Sequence, residues 1–115
     1  MSLRNLQTNT NLDVDESEDA VKTTPGILYG WYIANQHATD KRYIKFYDAG
    51  TGDVTVGTTA PKIVLPLSAG SQGHVEFSRG IPFYTAITVA ATTGIANNDT
   101  GAPAANDVLV VSFFE

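Results

Sequence analysis

The sequence predicts an all-β fold: a single small β-sandwich or jelly roll of about seven strands, preceded by an extended N-terminal arm. Three observations carry this. Short runs rich in Val, Ile, Thr, Tyr and Phe recur between turn signals built from Gly, Pro, Asn and Asp. No stretch shows the apolar period of a helix together with its caps. The chain has 115 residues, 43% hydrophobic and 17% charged, which suits one globular core and not a disordered polymer.

In chain order, residues 1–19 read as the arm and residues 20–115 as the sandwich domain. The arm sets isolated Leu3, Leu6, Leu12 and Val14 among Asn, Thr, Gln and Ser, then runs into Asp13-Val14-Asp15-Glu16-Ser17-Glu18-Asp19. Four spaced apolar side chains do not offset roughly 1–2 kcal/mol of backbone entropy per residue. Such an arm takes its order from what it packs on, a neighbouring chain or its own domain.

The first strand of the domain falls at residues 20–24. Ile27-Leu28-Tyr29-Gly30-Trp31-Tyr32-Ile33-Ala34 follows between Pro25-Gly26 and Asn35-Gln36, with Ile27, Tyr29, Trp31 and Ile33 on one face and Leu28 and Tyr32 on the other. Two apolar faces point to a central strand or a covered outer face. Arg42-Tyr43-Ile44-Lys45-Phe46-Tyr47 alternates more plainly, Ile44 and Phe46 inward, until Asp48-Ala49-Gly50-Thr51-Gly52-Asp53 breaks it. Lys62-Ile63-Val64-Leu65-Pro66-Leu67 is an edge or bulged strand because of its proline. Gly73-His74-Val75-Glu76-Phe77, residues 85–91 and residues 107–114 complete the set. The almost uncharged connection at residues 92–106, with Asp99 its one charge, is long for a compact domain, a length that marks functional or mobile loops.

Charge and composition exclude several functions. With Lys+Arg 7 against Asp+Glu 12 the net charge is −5, and no basic stripe exists to displace counterions from nucleic acid. The absence of cysteine excludes disulfides, thiolate chemistry and Cys-based metal centres. No apolar run approaches the roughly 18 residues of a membrane span, and the start lacks a signal-peptide h-region, so the expectation is a soluble chain made and kept in a cytoplasm.

No catalytic constellation emerges, and neither an enzyme nor a cofactor is expected. His37 sits in a turn and His74 opens a strand on its polar side, the ordinary places of solvated imidazoles. Gly70-Ser71-Gln72-Gly73 misses the hydrolase elbow. Gly50-Thr51-Gly52 lacks the last glycine of a dinucleotide fingerprint and reads as a hairpin turn. Asp13, Asp15 and Ser17 imitate the start of a calcium loop, but Glu18 stands where its glycine belongs. Asn97, Asn98, Asp99, Asn106 and Asp107 carry oxygen ligands across the long loop, though Asn and Asp are equally ordinary turn residues. Tyr29, Trp31, Tyr32, Tyr43 and Tyr47 crowd into two consecutive strands, and alternation divides them between core and a surface suited to a partner.

Gly30-Trp31-Tyr32-Ile33-Ala34-Asn35, Tyr43-Ile44-Lys45-Phe46-Tyr47, Val56-Gly57-Thr58-Thr59-Ala60-Pro61, Gly80-Ile81-Pro82-Phe83 and residues 90–101 carry a family likeness. The chain resembles small virion-associated structural proteins of tailed bacteriophages over roughly residues 21–114. The resemblance implies a protein made in the host bacterial cytoplasm that decorates and cements the capsid surface by binding the major capsid protein or other virion proteins. It also implies a homo-oligomer, by analogy a trimer. The partner-binding residues on this reading are Leu3, Leu6, Leu12 and Val14 in the arm, Tyr43 and Tyr47 in the domain, and Asn97, Asn98 and Asp99 in the long loop. The alternative is a carbohydrate- or receptor-binding module on the tail or a head fibre, using residues 97–106 with Trp31 or exposed tyrosines.

Overall fold

The structure, a computed structural model, describes residues 6–115, and among them it is all-β. Eight strands form: β1 (Gln7–Asn11), β2 (Asp19–Lys22), β3 (Gly26–Asn35), β4 (Arg42–Tyr47), β5 (Ile63–Leu67), β6 (Gln72–Phe83), β7 (Ile87–Thr92) and β8 (Val108–Phe114). They make two antiparallel four-stranded sheets, a front sheet in the order β1-β8-β3-β6 and a back sheet in the order β2-β7-β4-β5. The pairs β1–β8, β2–β7, β3–β6 and β4–β5 nest within one another, as in a long ribbon folded at β4–β5 and rolled up. This is an eight-stranded jelly roll.

Alternation decides what enters the core. Val108, Val110 and Phe114 of β8, Ile44 and Phe46 of β4, and Ile87, Val89 and Ala91 of β7 meet between the sheets. Trp31 stands among them, stacked on Phe46 at 5.8 Å between ring centroids and edge-on to Phe77 at 5.1 Å. A register shift between Leu28 and Gly30 puts Leu28 in the core with Trp31 and Ile33. The strict period-2 reading, which grouped Ile27 and Tyr29 with Trp31, is corrected by that bulge: the extra residue turns the chain over. On β6 the same irregularity leaves residues 77–80 without partners on β3, and Gly80 takes a positive φ of 74° there.

The reading of residues 1–19 as an arm outside the domain is corrected for residues 7–19. Gln7–Asn11 pairs with β8 along its whole length, and Val14 is fully buried, its N–H donating to the Val108 carbonyl at 2.9 Å. The acidic run is sewn down as well: Ala91 N–H donates to the Asp15 carbonyl, Asn106 N–H to Asp13 Oδ1 and Asn11 Nδ2 to Asp19 Oδ2. The segment cannot fold alone, but it adds a strand to a sheet whose core already exists, so backbone bonds and Val14 suffice. Leu3 lies outside the described residues.

Candidate functional site

The two sheets treat their outer faces differently. On the two central strands of the back sheet the outward positions are Tyr43, Lys45 and Tyr47 of β4 and Thr88, Ala90 and Thr92 of β7, and all but Tyr43 are buried, whereas Ala20 on β2 and Val64 and Pro66 on β5 keep exposure at the edges. Residues 48–62 and 93–107 fold over this face and meet where Gly57, at a φ of 96°, packs on Thr100. A Cβ there would come within 2.4 Å of the threonine methyl. Tyr47, expected as an exposed partner residue, is corrected to a buried one: it clusters with Val54 and Ala90, and Ala49 and Val56 pack alongside. Among the described residues its Oη finds no hydrogen-bond partner, and burial, reinforced by the nearby Glu18 charge, pushes its pKa up. Lys45 is fully buried with Nζ donating to the Ala96 carbonyl at 2.8 Å. Burial lowers its pKa, while Asp99 works against that.

The long loop is held by its own polar groups. Asp99 Oδ1 accepts from Gly101 N–H at 2.8 Å, and Thr93 N–H donates to the Gly101 carbonyl. Asp99 is half-buried and structural, whereas Asn97 and Asn98 are exposed. Asp107 receives Arg42 through Nε at 3.2 Å and Nη2 at 3.0 Å, a buried ion pair joining β4 to the start of β8. No group of three or more His, Cys, Asp or Glu suited to a metal occurs among the described residues. His37 closes its own turn, Nδ1 accepting from Thr39 and Asp40 N–H, and His74 Nε2 lies 3.2 Å from Glu76 Oε1. Trp31, considered for sugar stacking, is 6% exposed and belongs to the core.

Among the described residues, the outer face of the front sheet is less covered than that of the back sheet. Because Val108, Val110 and Phe114 point inward, Leu109, Val111 and Phe113 point out, and Tyr32 joins them between inward Trp31 and Ile33. All four are half-buried in the isolated chain. Thr8 and Thr10 of β1 border this stripe on one side, and Gln72, His74 and Glu76 of β6 border it on the other. Tyr32 Oη donates to Gln72 Oε1 at 2.5 Å, and the His74 ring stands edge-on to Phe113 at 6.3 Å. Where β1 begins, the stripe opens into a groove of about 140 Å³ lined by Leu6, Tyr29, Glu76, Phe77 and Phe113.

Of the partner-binding residues the resemblance assigns, Leu6 alone among the described residues joins this face, and of the aromatic cluster Tyr32 and Tyr29 join it. Leu12 is 61% exposed in the β1–β2 connection, and Val14 is core. Tyr43 is half-buried on the opposite sheet. Tyr32 was offered only as one of the clustered aromatics, and Leu109, Val111 and Phe113 were missed as site residues. The available signal was residues 107–114, apolar on both faces although only one face of a sandwich strand meets the core.

Fold and surface together define a jelly-roll domain whose back sheet has the outward side of its central strands largely buried and whose front sheet leaves an apolar stripe part-exposed among the described residues. No family model matches the chain, and no curated protein or solved structure matches it either.

Proposed function

We propose that this chain is a non-enzymatic virion structural protein, a capsid decoration or cement protein that docks through the outer face of its front sheet onto coat subunits. The part-exposed stripe of Tyr32, Leu109, Val111 and Phe113 supports the reading, set against a back sheet whose central strands the chain covers with its own loops. A chain able to cover the centre of one sheet and leaving a stripe of the other part-exposed is consistent with a partner on the exposed side. Size supports a lattice partner over a soluble one. Four strands about 4.8 Å apart and seven residues long present on the order of 450 Å², short of the roughly 800 Å² per partner of a stable pairwise complex. Many copies on a repeating surface reach by avidity what one such contact does not.

The test uses a phage carrying this gene with a tag, its particles purified and scored for bound protein. Wild type is expected on the particles, and Val111→Lys, outward and away from the core, is expected to fold normally and be missing from them. Particles free of wild-type protein, or fully occupied by Val111→Lys, overturn the reading.

A further inference from the structure

The four sheet edges are not equivalent. β5 carries Pro66, which has no N–H to offer, and β2 is four residues long with a register shift. β1 is five polar residues. β6 is twelve residues long, and its stretch Gln72–Glu76 pairs regularly with β3 and contains neither proline nor bulge. Val75, a large hydrophobic residue, is 39% exposed on this edge.

The hydrogen-bond phase of β6 follows from one contact. Asn35 N–H donates to the Ser71 carbonyl at 2.9 Å, and residues 35 and 71 continue the β3–β6 register. Bonded pairs alternate along an antiparallel ladder, so Gly73 and Val75 turn their backbone groups toward β3. The N–H and C=O of Gln72, His74 and Glu76 therefore point out of the sheet.

We infer that a second copy of this chain adds to that edge, the two β6 strands pairing antiparallel about a twofold axis at Val75. In this register Val75 faces its own twin as a non-bonded pair, where side chains lie closest. His74 of each copy falls opposite Glu76 of the other, and both residues present outward backbone groups, giving four inter-chain hydrogen bonds. On the inner side Phe77 comes opposite Gly73, which has no side chain to obstruct it. Polar, small and apolar positions are thus self-complementary in one register, as an isologous contact requires. The two front sheets become one of eight strands, their apolar stripes on the same side. The pairing rests on the β6 edge and is independent of what the front face binds.

Sedimentation of the full chain from micromolar to millimolar concentration tests it, with circular dichroism verifying the fold of each variant. Wild type is expected to dimerise. Glu76→Lys, setting Lys against His74, weakens the dimer at least tenfold, and the double reversal His74→Glu/Glu76→Lys restores it. His74→Pro, which removes an outward N–H and leaves the bonds to β3 intact, gives a monomer. A wild-type monomer throughout the range overturns the inference, as does dimerisation of Glu76→Lys and His74→Pro at wild-type strength, or a folded double variant that stays monomeric.

Discussion

Asn35 ties the turns at one end of the roll together with a single side chain. Fully buried, it donates through Nδ2 to the carbonyls of Asp40, Leu67 and Ser68 at 2.9–3.2 Å and accepts at Oδ1 from His37 N–H. Asn35→Ala removes all four bonds, of which the one to the Leu67 carbonyl is fully buried while the Ser68 carbonyl keeps its bonds from Ser71, at about 2–3 kcal/mol in all. A thermal melt is expected to show the midpoint lowered by roughly 10 °C or more. Tyr47 is the opposite case, a hydroxyl buried without a partner among the described residues, so Tyr47→Phe should match or exceed wild-type stability in urea at neutral pH. Because the folded state raises the Tyr47 pKa, it keeps a proton that the unfolded chain gives up above about pH 10. Wild-type stability therefore falls as pH rises through that region, and a tyrosinate absorbance step should coincide with alkaline unfolding. In Tyr47→Phe that step shrinks and unfolding moves to higher pH.

Among the elements, the connection leaving β4 and the turn between β6 and β7 are joined by Asp48. Its carboxylate accepts from Tyr84 N–H at 3.0 Å and Thr85 N–H at 2.8 Å, with Lys62 3.9 Å away. Burial alone would raise its pKa, but these N–H groups, that of Ala86 and the Lys62 charge outweigh burial and hold it below the usual carboxylate range. A depressed carboxyl stabilises the fold above its unfolded pKa and loses that contribution as pH falls through the folded value. Asp48→Asn is thus expected to be less stable than wild type in urea at neutral pH, with the gap closing below about pH 4. The strands of the domain were legible because their β-branched and aromatic runs end at turn residues. β1 was not: Gln7-Thr8-Asn9-Thr10-Asn11 carries no apolar alternation and is a strand only because β8 offers it an edge. Nor did the sequence disclose that residues 48–62 and 93–107 fold over β4, so Tyr47 read as surface although its alternation was right. The part-exposed face escaped for a related reason, since two apolar faces on one strand do not say which of them the chain covers.

The whole roll joins distant parts of the chain, β1 to β8 and β2 to β7, so its contacts are overwhelmingly non-local and folding belongs in the millisecond-to-second range of such topologies. Both β1 and β8, the first and last strands, are structural. Removing residues 1–18 strips β1 from the front sheet, empties the Val14 position in the core and cuts the bonds from Val14 to Val108, from Ala91 to Asp15 and from Asn106 to Asp13. The Val14 cavity alone costs about 2–4 kcal/mol, scaled from large-to-small core substitutions. The lost strand adds to this and leaves apolar β8 as a new unpaired edge. For a domain with an ordinary margin of 5–15 kcal/mol, the truncated chain should melt far below wild type in calorimetry and run as aggregate on gel filtration. A detachable arm predicts the reverse, an unchanged cooperative melt and a monodisperse peak. Val14→Ala separates the contributions: it keeps the strand, opens the cavity alone, and is expected to lower the midpoint by less than the truncation does while remaining soluble.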